Sequence, residues 1–307
     1  EIIINDQPLS QTLCSGSSVV FSIDASGTGL TYQWRKGTTP LADGGRISGS
    51  TTASLTITNI NSADAANDYN VLLSSPGGLC PQAISANVQL IVKALPDVTL
   101  TAVSPSICSG TPTAVLLTGS IAGTTFSWTM IQSGITGGSD GSGSNINQPL
   151  TTTGSIPGSI AYTITPLANG CNGLPVEIII GVNPMPDVAA TPASQTICSG
   201  TAPGILLTGT VSGTSFSWTV IQSGVSGATA NSGSVIDQIL TATGSIAGTA
   251  TYTITPLANG CSGNQITVTV TVNPLVMMTA DPATATICSG ETTAVALSGN
   301  VTGSVFS

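Results

Sequence analysis

Seven cysteines carry most of the reactive chemistry open to this 307-residue chain, because it contains no histidine. Without imidazole there is no Ser-His-Asp triad, no Cys-His pair and no histidine metal site. What remains for Cys14, Cys80, Cys108, Cys171, Cys198, Cys261 and Cys288 is oxidation. Cys108, Cys198 and Cys288 follow one another at intervals of 90 residues, and Cys108 to Cys171 repeats the 63-residue step of Cys198 to Cys261. Two cysteines per repeat at fixed places predict one disulfide inside each module, Cys108–Cys171 and Cys198–Cys261. Buried free thiols are the alternative. Cys288 is left over, with its partner expected beyond Ser307. Closing a loop of about 60 residues contributes roughly 4 kcal/mol on the chain-entropy account. It also requires an oxidising compartment, which puts the protein outside the cytoplasm.

Other chemistry is thinly supplied. A glycoside hydrolase needs two carboxyl groups across a cleft. The two central repeats place an acid at the same position only at Asp97 and Asp187. No catalytic residue, cofactor site or metal site is therefore expected. Calcium stiffens some repeat arrays, and Asp97, Asp187 and Asp281 sit near module boundaries. One carboxylate per joint falls short of the several oxygen ligands calcium takes, so these acids are read as solvated linker residues. Trp34, Trp128 and Trp218 could stack on sugars. Their place two residues after an aromatic on a strand predicts core instead, together with Tyr69, Tyr162 and Tyr252.

The elements that must position these residues are strands. Charged residues are 6% of the chain, against a large share of Thr, Ser, Gly, Ala, Val and Ile. β-Branched residues with frequent Gly and Pro favour short strands and tight turns. The net charge is −9, and Arg35, Lys36, Arg46 and Lys93 are the only basic residues. A surface without cations beyond residue 93 cannot neutralise phosphates, so nucleic acid and anionic lipid are excluded as partners. No apolar run is long enough to span a bilayer, so no membrane insertion is expected. Glu1 to Asn5 reads as a strand rather than a signal peptide.

The fixed period marks an array. Ile107-Cys108-Ser109-Gly110 with Phe126-Ser127-Trp128 recurs as Ile197-Cys198-Ser199-Gly200 with Phe216-Ser217-Trp218. It starts again at Ile287-Cys288-Ser289-Gly290, and a looser copy is Leu13-Cys14-Ser15-Gly16 with Tyr32-Gln33-Trp34. Four units result: 1–94, 95–184, 185–274, and 275–307 as the start of a further repeat. In the second unit, Ala114–Thr118 and Thr125–Thr129 read as paired strands, Gly134–Ser144 as a Gly/Ser-rich loop, and Ile160–Ile164 as a strand with alternate residues inward. Asn169-Gly170 and Asn259-Gly260 are hairpin turns, since both residue types tolerate positive φ. Val182-Asn183-Pro184 and Val272-Asn273-Pro274 are short, stiff joints. Units laid end to end give a semi-rigid rod.

Two resemblances follow. Residues 1–94, with Trp34 and the stretch Asp64 to Tyr69, resemble an immunoglobulin-like domain with its tyrosine corner. The corner is one residue longer than the family's, Ala66 replaces its glycine, and Val71 stands where the family has its second cysteine. Cys80 is the available partner for Cys14. Over 95–307, Ile-Cys-Ser-Gly, Phe-Ser-Trp-Thr, Tyr-Thr-Ile-Thr-Pro-Leu-Ala-Asn-Gly-Cys and Val-Asn-Pro resemble the PKD-like repeats of very large Bacteroidetes surface proteins. That resemblance implies type IX secretion, an extracellular or outer-membrane surface location, and roles in adhesion and gliding. The fold expected is all-β, tandem immunoglobulin-like and PKD-like β-sandwich modules in an elongated array. The function expected is a non-enzymatic stalk of a secreted or cell-surface adhesin, its partners an unknown surface ligand or neighbouring copies. The alternatives are a self-assembling filament or sheath, a glycan- or protein-binding module using loops 134–144 and 224–233, and a spacer in a large secreted hydrolase.

Overall fold

The computed structural model describes residues 1–76, 81–101 and 104–307. The chain is all-β, with a 3-10 turn at Ser62–Asp64. Three successive units share one plan for their large sheet, which smaller sheets face across the core. In the second, a three-stranded sheet joins Thr99–Thr101, Val115–Thr118 and Asn145–Ile146. The opposing sheet runs Ser106–Cys108, Val176–Asn183, Gly158–Ala168, Thr125–Ser133, Gly141–Ser142, with Cys171–Asn172 paired onto Gly158–Ala168. The third unit repeats this order from Ser194–Cys198 through Ile266–Asn273, Gly248–Ala258, Ser215–Ser223 and Asn231–Ser232. In the first unit the corresponding path is Gln11–Cys14, Val88–Lys93, Ala66–Ser74, Thr31–Lys36, Thr39–Pro40. Beyond Asn273, Met278–Asp281 pairs with Ala296–Gly299.

Period-two alternation builds the cores. Along Gly158–Ala168, Ile160, Tyr162, Ile164 and Ala168 are buried. They meet Val115 and Leu117 from the other sheet in one cluster with Trp128 and Ile178. The equivalent cluster of the third unit centres on Trp218 and Tyr252, and that of the first on Trp34, Phe21 and Tyr69. Each cluster draws on one stretch of sequence, so each unit buries its own apolar surface.

Two expectations for the strands change. Val115–Thr118 does not pair with Thr125–Ser133; the two lie in opposite sheets, the first bonded to Thr99–Thr101 and the second to Gly158–Ala168. Consecutive strands in a sandwich often cross between layers, and both runs alternate, so alternation alone could not separate the two arrangements. The stretch 134–144 is not a plain loop. Ile135–Thr136 pairs with Thr151–Thr152, and Gly141–Ser142 extends the large sheet.

One feature of the register governs the rest. The short first strand of the large sheet is parallel to the last, with Cys14 level with Lys93, Cys108 with Asn183 and Cys198 with Asn273. The repeated cysteine therefore stands at the exit pole of its unit, beside the linker to the next. The Asn-Gly turn stands at the other pole, where Ala168 pairs with Cys171 and Ile164 with Val176.

Candidate functional site: the module joints

The Ile-Cys-Ser-Gly motif builds the exit pole residue by residue. Leu13, Ile107 and Ile197 pack against their core clusters. The next residue, the cysteine, consequently points out of the sandwich. Ser109 Oγ accepts from Thr152 N at 3.0 Å, and Ser199 Oγ from Ala242 N at 3.0 Å, fastening the motif to the facing segment. Gly16, Gly110 and Gly200 have φ of 86°, 87° and 86°, a conformation that favours glycine and turns the chain into the next strand.

The entry pole of the following unit presents the hairpin tip. Asn169 and Gly170 have φ of 54° and 80°, Asn259 and Gly260 of 49° and 78°. Two positive φ values give the tight turn that a two-residue hairpin needs, and Cys171 or Cys261 follows at once.

These two poles are covalently joined. Cys14 is bonded to Cys171, with S–S 2.00 Å and Cα–Cα 5.7 Å, and Cys108 to Cys261, with S–S 2.00 Å and Cα–Cα 5.6 Å. Both bridges cross from one unit to the next. This corrects the expected pairs Cys108–Cys171 and Cys198–Cys261, and equally Cys14–Cys80, since Cys14 is engaged elsewhere. Cys80 itself lies outside the described residues. The reason is distance. Cys108 is level with Asn183, while Cys171 sits beyond Val176 at the other end of the same strand. Seven residue steps at about 3.3 Å put roughly 23 Å between the poles, and a disulfide spans Cα atoms less than about 7 Å apart. Cys198 and Cys288 are free and exposed.

Polar contacts accompany each bridge. Lys93 Nζ donates to Asn169 O at 2.8 Å, and at the next joint Asn183 Nδ2 donates to Asn259 O at 3.2 Å. Lys93 and Asn183 occupy the same place in their units, 90 residues apart. Just after each turn the linker backbone passes so close that a Cβ on Gly173 would collide with Pro96 O, and one on Gly263 with Pro186 O. Pro96 and Pro186 are buried. Neither the lysine–asparagine pair nor these glycines was singled out from the sequence, although the 90-residue spacing of 93, 183 and 273 could have pointed to them.

The linker acids are also engaged. Asp97 Oδ1 accepts from Ser120 N at 2.7 Å and Ser120 Oγ at 2.8 Å; Asp187 Oδ1 accepts from Thr210 N at 2.6 Å and Thr210 Oγ1 at 2.9 Å. These bonds, the backbone N–H foremost, hold both carboxyls below the ordinary aspartate range. They are not simply solvated, as expected from sequence, but cap the first strand pair of the unit. At the third joint the roles are exchanged: Met277 replaces the aspartate, and Asn300 Oδ1 accepts from Met277 N at 2.6 Å while Asn300 Nδ2 donates to Leu275 O at 3.0 Å. Among the described residues there is no group of three or more side chains that could hold a metal.

The aromatic residues lie away from the joints. Trp34, Trp128, Trp218, Tyr69, Tyr162 and Tyr252 are all buried in the three clusters. Tyr69 Oη donates to Asp64 O at 2.7 Å, and Asp64 is ion-paired with Arg46 at 2.7 Å. Tyr162 Oη donates to Gln148 Oε1 at 2.8 Å, and Gln148 Nε2 donates to Ser139 O at 2.8 Å. Gln238 links Tyr252 to Thr229 in the same way. Stretches 134–144 and 224–233, weighed as binding loops, are thus braced from the core. Trp128 Nε1 donates to Ser139 O, whereas the equivalent Trp218 Nε1 is buried without a partner.

Units with this sheet order, repeated in tandem, define an immunoglobulin-like repeat protein. The profile of the PKD-like domain matches residues 105–186 and 195–275, more than half of the chain, which therefore belongs to the PKD-like domain family. Among curated proteins no significant match is found. Among solved structures the chain is similar to an I-band fragment of titin, at 15% identity and TM-score 0.46 over 89% of this chain and 98% of that one. It is similar also to the eight N-terminal immunoglobulin domains of Down Syndrome Cell Adhesion Molecule, at 13% identity and TM-score 0.49, over 89% of this chain and 36% of that one. A third similarity is to immunoglobulin domains 1–5 of Sidekick-1, at 17% identity and TM-score 0.32, over 89% and 59%.

Proposed function

We propose that this chain is a non-enzymatic stalk segment of a very large secreted or cell-surface adhesin, in which covalently stapled joints keep successive modules in line. Residues 1–94, 95–184 and 185–274 are its modules, and 275–307 begins another. The observation that carries the reading is the pair of disulfides across consecutive joints. Relative motion is the default for tandem domains whose shared interface is not large and apolar. A disulfide holds them regardless. The bridges also suit an oxidising, extracellular setting. The absence of Lys and Arg after residue 93 removes every trypsin site from that stretch, which fits exposure to proteases outside the cell. The resemblance to PKD-like repeats of Bacteroidetes surface proteins supports export by type IX secretion and a part in adhesion or gliding.

Small-angle scattering of the oxidised and reduced chain tests the stalk. The oxidised protein should be a long, stiff monomer whose joints loosen on reduction. A particle that is equally flexible in both states would count against the stalk, and concentration-dependent fibres would favour the filament reading.

A further inference from the structure

The third joint has the same exit pole as the first two. Cys198 ends the strand Ser194–Cys198, level with Asn273, and Ser199 N donates to Asn273 O at 2.8 Å, as Ser109 N does to Asn183 O and Ser15 N to Lys93 O. Ile197 packs into the core, Gly200 has φ of 86°, and Ser199 Oγ is bonded to the facing segment. Every supporting feature of the two bridged poles is present. What differs is accessibility. Cys14, Lys93, Cys108 and Asn183 are half-buried, while Cys198 and Asn273 are exposed. The Asn273 side chain has no hydrogen-bond partner among the described residues, although its counterparts Lys93 and Asn183 both donate to the carbonyl of an incoming turn asparagine.

We propose that Cys198 and Asn273 form an open half-joint, a docking site for the Asn-Gly-Cys turn of a further PKD-like module, closed by a disulfide to Cys198 and by an Asn273 Nδ2 hydrogen bond to the turn asparagine's carbonyl. This goes beyond the stalk reading, on which it rests for the sense of the array: the exit pole of each module accepts the entry turn of its successor. The same pole is closed by the same kind of turn twice in this chain, so Cys198 is not a solitary thiol but the third member of a built series. Cys288 is exposed as well, but no described strand stands level with it, so it is the internal control for a thiol without a prepared pole.

Bridge formation takes a disulfide oxidant such as glutathione disulfide. The Cys198 thiolate attacks one of its sulfurs and releases one glutathione thiolate. The thiolate of the turn cysteine then displaces the second glutathione, so that one protein S–S bond forms, two protein S–H bonds are lost, and two glutathione thiols carry away the protons and electrons.

The test extends the chain: residues 275–307 are replaced by a second copy of residues 185–274, and the protein is folded in a glutathione redox buffer. Peptide mapping without reduction, by a protease that does not need Lys or Arg, then reads the linkages. The expected result is a peptide joining Cys198 to the added copy's Asn-Gly-Cys turn, with the added copy's own first cysteine left alkylatable. In the same chain, Cys198→Ser should leave the added turn cysteine alkylatable, and Asn273→Ala should shift the redox ratio at half-closure by about two- to tenfold, the worth of one net hydrogen bond. A Cys198 that remains alkylatable, or a turn cysteine linked anywhere else, overturns the proposal. The Cys14–Cys171 and Cys108–Cys261 peptides in the same map separate the two readings. If they are present and the new bridge is not, the open half-joint alone fails; if all three are missing, the stapled stalk fails first.

Discussion

The two bridges overlap in sequence, and this has a measurable mechanical consequence. One closes Cys14 to Cys171 and the other Cys108 to Cys261, so residues 108–171 belong to both loops. When all three modules are unfolded by force applied at the termini, tension does not run along the chain from 14 to 261. It crosses the first bridge to Cys171, runs backward through the 63 residues to Cys108, and crosses the second bridge to Cys261. At about 3.5 Å per extended residue, that path reaches about 220 Å. With both bridges reduced, the 247 residues from Cys14 to Cys261 extend to about 860 Å. Reduction should therefore lengthen the fully unfolded tether by about 640 Å. Single-molecule pulling of the chain in the presence and absence of a reductant reads this directly.

The variant Cys14→Ser sharpens the measurement. With only Cys108–Cys261 left, the shortest path is the 94 residues from position 14 to Cys108, about 330 Å. Had the bridges formed inside the modules, the same variant would leave the 94 residues to Cys108 and a further 27 from Cys171 to Cys198, about 420 Å in all. A tether near 420 Å, or one that reduction does not lengthen, would refute the joint-crossing arrangement.

Three further outcomes are expected. Gly263→Ala drives a methyl group onto Pro186 O and the Pro256 ring, and should cost about 1–3 kcal/mol in urea unfolding, as overpacking against backbone does. Asp187→Ala removes the acceptor of the Thr210 N–H and hydroxyl and should cost up to about 1 kcal/mol; Asp187→Asn, which keeps an amide oxygen in place as Asn300 does at the third joint, should restore most of it. Burial pushes the Tyr69 and Tyr162 hydroxyls up to about 12. The folded pKa lies above the unfolded value near 10, so their contribution is whole below pH 10 and is lost as pH rises towards 12; denaturation midpoints that stay flat from pH 9 to pH 12 would contradict it.

The period and the strands were legible because both rest on local pattern. Ile160, Tyr162 and Ile164 alternate inward as expected for a strand with one wet face, and Asn-Gly before Cys171 and Cys261 marks a two-residue turn from residue type alone. The sheet to which a strand belongs was less accessible: Val115–Thr118 and Thr125–Ser133 face each other across the core rather than lying side by side. The pairing of the cysteines was not legible from spacing. An invariant step of 63 residues says that Cys108 and Cys171 belong to one module, but not that they stand at opposite poles. That follows only from the parallel pairing of Ser106–Cys108 with Val176–Asn183, which no feature of a three-residue strand announces. The linker aspartates were misread for a related reason, since Ser120 and Thr210 are 23 residues away and their approach depends on the hairpin that closes between them.

Placing the cysteines at the poles divides the work of stability. Within a module, the core must suffice, because no bridge closes it: in the second unit both cysteines face a neighbour, one at each end. The covalent term acts on the succession of modules instead. A loop of about 155 residues closed in the unfolded chain is worth roughly 5 kcal/mol on the chain-entropy account. In the folded chain each bridge spans a joint that also carries a hydrogen bond from Lys93 or Asn183 to the neighbouring turn. Tandem domains move relative to one another by default, and oxidation restrains that motion at each joint. Because consecutive loops share residues 108–171, a single module cannot be drawn out to its full length while its neighbours keep their bridges. Load on one module is passed to the next through sulfur rather than through main chain. That is the behaviour the proposed stalk would need, and it depends on which pole each cysteine occupies rather than on any residue peculiar to one module.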